Sequence, residues 1–205
     1  MKRITLATTA VILLFTFQLV LTVPVYAKKE TKTGDLHSMF VATGEGEQVA
    51  LFRAGKKIWQ PAVDVIPDSY YADLGAMPWT EVEGAVWITY NFEVSAPSEN
   101  SWYVYEKSFD IPGEVVGASM LIAADNAYMI HVNGRLVGRD GNLFQPAPVT
   151  DPFNWQEPET YDLVKALRQG TNNIVVYVRN YGMTDGTWWS NPTGLVFSIA
   201  IDYLA

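Results

Sequence analysis

Residues 120–139 read MLIAADNAYMIHVNGRLVGR, and the fold class follows from this stretch. Two apolar runs, 119–124 and 127–132, precede Asn133-Gly134, and Arg135-Leu136-Val137-Gly138 follows. Tyr128, Ile130 and Val132 alternate with Ala127, Met129 and His131, the period of two that sends successive side chains to opposite faces of a strand. Asn-Gly favours a type I′ hairpin turn, because both central positions need positive φ. Three antiparallel strands in some twenty residues therefore start a β-sheet, and nothing in them has the look of catalytic machinery.

The chain has 205 residues, enough for one domain and a short extra segment. Lys2-Arg3, the apolar run 11–23 and the small residues of Val25-Tyr26-Ala27 have the pattern of a secretory signal peptide over residues 1–27. An uncleaved anchor is the competing reading, since 4–26 is about long enough to cross a bilayer; Pro24 and the small terminal residue favour cleavage. Cleavage removes two of the 14 basic residues and none of the 22 acidic ones, leaving a strongly acidic chain. Such a balance argues against nucleic acid and, after cleavage, against a membrane surface as partner. There are no cysteines, so disulfides contribute nothing, and the core must hold the domain by itself. With 7 Trp, 11 Tyr and 9 Phe, the functional question becomes which aromatic rings lie outside that core.

Residues 28–47 are rich in Lys, Thr, Gly and Glu and read as a flexible leader, with the domain proper at 48–205. Strand patterns occupy 48–53, 84–94, 101–111, 117–124, 127–132, 135–138, 172–180 and 195–203, about eight in all. Between the first two, residues 58–80 have no clean period and carry Pro61, Pro67 and Pro78, as a long loop or two short strands would. Thr160 followed by YDLVKALR and Gly170 predicts one short helix, with Leu163, Val164 and Leu167 on its buried side. Many strands separated by turn signals indicate an antiparallel β-sandwich.

Several of these pieces, taken in order, resemble the galactose-binding-like jelly roll, most nearly the sugar-binding accessory domain of β-galactosidase-type and rhamnosidase-type glycosidases. The residues are Asn133-Gly134, Val137-Gly138, the loop aromatic Phe144, the segment Tyr161–Leu167, and Gly170-Thr171-Asn172-Asn173-Ile174-Val175-Val176. The likeness covers roughly residues 84–205. It implies a two-layered β fold serving carbohydrate binding, adhesion or architectural support, roles among which the fold alone does not choose. No catalytic barrel follows in this sequence, so a module that binds or assembles is expected.

Enzyme motifs are lacking: there is no Cys nucleophile, G-x-S-x-G elbow, H-E-x-x-H or phosphate loop. His37 falls in the leader, and His131 on a hairpin strand reads as a satisfied surface residue. Acids are plentiful, but sequence alone places no two at glycosidase spacing. Asp64, Asp68 and Asp73 offer the oxygen ligands that calcium takes, yet match no calcium-loop pattern; they read as solvated loop acids, with a structural calcium left open and no other cofactor expected. A sugar site needs flat aromatic faces ringed by polar groups. Two loops carry both: Tyr181, Asp185, Trp188, Trp189 and Asn191 in one, and Asp151, Asn154, Trp155 and Gln156 in the other. The plainer reading of Trp155 and one of the Trp pair is that they cap the sheet. Asn180, Asn191-Pro192 and Asp125-Asn126 read as turn residues. The expectation is a secreted, non-catalytic, glycan-binding module. The alternative is an extracellular assembly or surface-layer subunit whose leader tethers it or donates a strand to a neighbour.

Overall fold

The hairpin forms as expected, with φ of 52° at Asn133 and 80° at Gly134. The computed structural model describes residues 34–44, 46–53, 56–65, 79–90, 101–144, 154–181 and 193–205, all within a unit spanning Thr33–Ala205. Twelve strands lie among them. In chain order they are β1 (Leu36–Ala42), β2 (Gln48–Arg53), β3 (Lys56–Pro61), β4 (Val63–Val65), β5 (Trp87–Thr89) and β6 (Trp102–Ile111). Then come β7 (Glu114–Asp125), β8 (Ala127–Val132), β9 (Arg135–Asp140), β10 (Glu159–Asp162), β11 (Gly170–Arg179) and β12 (Gly194–Leu204).

They make two sheets of six strands with every pairing antiparallel. The first has the order β10-β7-β12-β5-β4, with β1 also paired to β12; the second has the order β3-β2-β6-β11-β8-β9. The chain is thus an all-β antiparallel sandwich. Alternation along the long strands builds its core: Met120, Ile122, Leu195, Phe197, Ile199 and Ile201 from the first sheet meet Tyr103, Tyr105, Tyr128, Ile130, Val176 and Val178 from the second. Residues of opposite parity on the first sheet, Ala123 and Val196, are covered from outside by Trp79, Val82 and Trp87. That outer cover explains why β12 is buried on both faces along Gly194–Ile199.

Three expectations need correction. Eight strands were readable; β1 and β10 are additional, and β3 and β4 realise the two-short-strand alternative for the stretch after β2. The predicted helix is absent. Glu159–Asp162 instead pairs with Ser119–Ile122 at the edge of the first sheet. Leu163 and Leu167 still point into the core, but one turn delivers both, closed by Leu167 N–H donating to Leu163 O (3.0 Å). Asp162 Oδ1 accepts from Val164 N–H (2.9 Å), so Asp162 rather than Thr160 caps this turn. A two-turn helix has too few bonds to offset its nucleation, whereas the open edge of β7 takes up the backbone groups of Glu159–Asp162 that face it.

The flexible leader is also corrected in part. Leu36–Ala42 is β1, paired residue for residue with Ser198–Leu204 of β12, and Val41 enters the core. Its polar composition reflects one face and one edge turned to solvent, not want of structure. Residues 28–33 lie outside the described residues.

Asn172 organises the region where a helix was expected. Its side chain is fully buried, and all four hydrogen-bonding positions are filled. Nδ2 donates to Arg168 O (2.7 Å) and Gly170 O (2.8 Å). Oδ1 accepts from Arg168 N–H (3.0 Å) and from Asn133 Nδ2 (2.8 Å). Asn133 in turn donates to Ala166 O (2.9 Å) and accepts from Asn173 N–H (3.0 Å). Two asparagines thus bind the hairpin, the Leu163–Leu167 turn and β11 into one unit.

Candidate functional site

Described residues at the ends of the loops singled out in the sequence, Asn142, Asn154 and Tyr181, lie together around the turn between β7 and β8. Asn126 N–H donates to Arg179 O (3.1 Å), and Asn126 Oδ1 accepts from Tyr181 N–H (2.8 Å). Asn180 N–H donates to Ser101 O (3.0 Å), and Asn154 O accepts from Ala124 N–H (3.3 Å). Tyr181 is buried; its hydroxyl accepts from Asn142 N–H (2.6 Å), and the Arg179 guanidinium lies 5.3 Å from its ring centroid. Asn154 is 1% exposed, and its Oδ1 has no hydrogen-bond partner. Asn180 is buried with neither side-chain polar atom bonded. Burial pushes the Asp125 carboxyl up to about 8.

Trp155 is half-buried beside the Trp79, Val82 and Trp87 cluster, and its carbonyl accepts from Thr80 N–H (2.8 Å). Of the loop residues, then, Asn154 and Tyr181 face inward, and Trp155 helps cover the first sheet. Gln156 is half-buried next to it. Asp151, Asp185, Trp188, Trp189 and Asn191 lie outside the described residues. Asp64 is exposed on β4, while Asp68 and Asp73 lie outside the described residues. Among the described residues no three His, Asp or Glu side chains converge as a metal site.

Accessible rings stand elsewhere, on the solvent face of the second sheet. Strand register places Trp59, Ala50, Val104, Tyr177, Met129 and Arg139 in one row across β3, β2, β6, β11, β8 and β9. The neighbouring row carries Gln48, Glu106, Val175 and His131. Trp59 is 41% exposed. Lys57 Nζ lies 5.6 Å from the Trp59 ring centroid and 5.7 Å from that of Tyr177, so one ammonium bridges two rings. Ala50 and Val104 are buried although they point outward, which fits the Lys57 stem and the two rings lying over them. His131 meets Tyr177 edge-on at 5.6 Å. Toward the rim, Trp102 and Phe144 are 6.1 Å apart, and Phe144 is 74% exposed. Asn173 Nδ2 donates to Glu106 Oε1 (2.6 Å), setting a polar border beside the aromatic row.

This face combines what pyranose recognition uses: exposed rings on a rigid floor, with amide, carboxylate and cationic groups at the edges. Sequence reasoning overlooked it. The signal was the i, i+2 spacing of Lys57 and Trp59, masked because the basic pair closes the preceding strand pattern and 58–80, with its three prolines, shows no clean period.

A third cluster closes the sandwich edge. Tyr128 OH donates to Glu159 Oε2 (2.7 Å) and lies 3.1 Å from Tyr161 OH. Partial burial raises the Glu159 carboxyl to about 7, and a hydrogen bond shared with Asp140 raises it as well. The two carboxyl groups belong to different sheets, β10 and β9.

No family model matches the chain. An α-L-rhamnosidase of Streptomyces avermitilis is 28% identical over 117 residues, which is 54% of this chain and 11% of that protein. The solved structure of Streptomyces avermitilis α-L-rhamnosidase complexed with L-rhamnose has 25% identity over 52% of this chain and 9% of that one, with a TM-score of 0.41. A Ruminococcus gnavus β-glucuronidase structure has 14% identity over 80% of this chain and 29% of that one, with a TM-score of 0.44. This chain therefore spans about a tenth of the length of the curated relative it matches, and the similarity is to one part of a much larger glycosidase.

Proposed function

We propose that this β-sandwich is a non-catalytic carbohydrate-binding module of a secreted protein, and that it seats a glycan on the solvent face of its second sheet. The observation that carries the reading is the pairing of Trp59 and Tyr177 through Lys57 on a rigid floor, bordered by Gln48, Glu106 and His131. Similarity to part of an α-L-rhamnosidase supports a carbohydrate-related role. Secretion through cleavage after Ala27 belongs to the same reading, and N-terminal sequencing of exported protein tests it.

A glycan array probed with the wild-type chain and with Trp59→Ala, Tyr177→Ala, Trp155→Ala and Trp188→Ala tests the site. Loss of binding in the first two variants, with their folding retained, is the expected result. Loss confined to Trp155→Ala or Trp188→Ala returns the site to the loops.

One observation favours the assembly alternative. β1 is an edge strand with Leu36 and Phe40 exposed, and it pairs along its whole length with β12, a geometry that a second copy could reproduce by exchange. Size-exclusion chromatography with and without residues 28–47 separates the two readings. Oligomers that vanish on deletion support exchange.

A further inference from the structure

Charge is divided between the two sheets in a way the overall acidity conceals. The strands of the first sheet contain Asp64, Glu114, Asp125, Glu159, Asp162 and Asp202 and no Lys or Arg. Strands of the second sheet contain Arg53, Lys56, Lys57, Lys107, Arg135, Arg139 and Arg179 against Glu106, Asp110 and Asp140. Some of these cations are already engaged. Lys107 Nζ pairs with Glu47 Oε1 at 2.6 Å, and Arg179 Nη1 donates to Asn142 O (3.0 Å). Lys57 and Arg139 differ: among the described residues neither is paired with a carboxylate, and both are exposed on the aromatic face.

We infer that the aromatic face selects an anionic polysaccharide, one bearing uronate or sulfate groups, with Lys57 and Arg139 meeting its charges while Trp59 and Tyr177 stack against its rings. This rests on the carbohydrate reading above and narrows it to a substrate class.

Trp59 and Arg139 lie five strand intervals apart, about 24 Å at the usual strand spacing, so the row suits an extended chain rather than a single sugar. The acidic sheet does not cancel the attraction. Packed sheets lie roughly 10 Å apart, so the acids of the first sheet stand behind the whole core while Lys57 and Arg139 stand on the face itself. A polyanion on the second sheet therefore responds to Lys57 and Arg139 more than to the acids behind the core. Uncharged glycan would use the rings alone and bring neither cation an anionic partner.

The test is binding of the full chain to polygalacturonate fragments (carboxylate), carrageenan fragments (sulfate) and a neutral galactan, by calorimetry at 50 and 300 mM salt. At least one anionic glycan is expected to bind more tightly than the galactan, with the advantage shrinking at high salt. Lys57→Gln and Arg139→Gln should each weaken that binding roughly threefold, the scale of an exposed ion pair, and weaken galactan binding by less. Carboxylate-only or sulfate-only binding identifies the source of the charge, and either supports the inference. Equal, salt-insensitive binding of neutral and anionic glycans overturns it while the carbohydrate reading stands. A single-stranded oligonucleotide bound as tightly as the glycans also overturns it, since the face would then collect any polyanion. No binding of any glycan by wild type removes the carbohydrate reading itself.

Discussion

Replacing Asn172 by Ala tests whether the polar knot beneath the β8–β9 hairpin holds the sandwich together. The side chain makes four hydrogen bonds of 2.7–3.0 Å while fully buried. At a net contribution of about 1 kcal/mol per bond, complete loss would cost about 4 kcal/mol. Arg168 is exposed and Gly170 half-exposed, so water recovers part of that, and Asn133 Nδ2 keeps its bond to Ala166 O. The expected cost is therefore about 3 kcal/mol, a fall in Tm of roughly 6–12 °C for a domain of this size. Urea unfolding followed by tryptophan fluorescence measures the first quantity and thermal circular dichroism the second. Asn172→Asp supplies an internal control with a sign. At neutral pH it faces the Arg168 and Gly170 carbonyl oxygens with a buried carboxylate, so it should be worse than Ala. Acidification should narrow the gap as the carboxyl gains a proton to donate. Asn172→Ala within 1 kcal/mol of wild type, or Asn172→Asp no worse than Ala at pH 7, would refute the reasoning.

Other outcomes follow from the titrating groups and one glycine. The buried Asp125 carboxyl is raised to about 8, so between pH 4 and 8 the folded chain holds a proton that the unfolded chain has lost. Its stabilising share is complete below pH 4 and falls by up to about 1.4 kcal/mol per pH unit as pH rises toward 8. Asp125→Asn should remove that slope and make the protein more stable than wild type at pH 8; an unchanged slope in urea titrations across this range would count against it. Glu159 is raised to about 7, so its share likewise fades as pH rises through 7, when Glu159 takes up its charge beside Asp140 at the sandwich edge. Amide exchange in β10 should quicken from pH 6 to pH 8, after correction for intrinsic rates, and Asp140→Asn should suppress the change. Gly138→Ala should destabilise by about 1–3 kcal/mol, because a methyl group there runs into the Tyr161 ring. Pairing it with Tyr161→Ala should recover less than the sum of the two losses.

Local rules account for what was legible. Asn133-Gly134 turns where it does because only those residue types accept positive φ on both sides of the hairpin. Alternation marked β6, β8, β11 and β12 because each long strand has one face in the core. Glu159–Leu167 was misread for an equally physical reason: Thr160 as a cap, Gly170 as a stop and the Leu163/Leu167 spacing are local helix signals, while the β7 edge that captures Glu159–Asp162 is about forty residues away in the chain. The leader was misread likewise, since the strand that orders Leu36–Ala42 is the last in the sequence.

The candidate site divides along the same line. The abundance of aromatic residues, and the need for some of them to lie outside the core, could be read from composition. Which rings those are could not. Tyr181 and Trp155 look like loop residues, but the rim draws Tyr181 inward and the Trp79–Trp87 cluster packs against Trp155. Trp59 and Tyr177 are 118 positions apart and face one another across Lys57 only because β2 and β6 lie between β3 and β11. By itself the sequence determined the two-layered β architecture, since periodicity and turn chemistry act over a few residues. Tertiary structure alone decided the aromatic row and the division of charge, since both arise from the lateral order of strands that pair across the whole length of the chain.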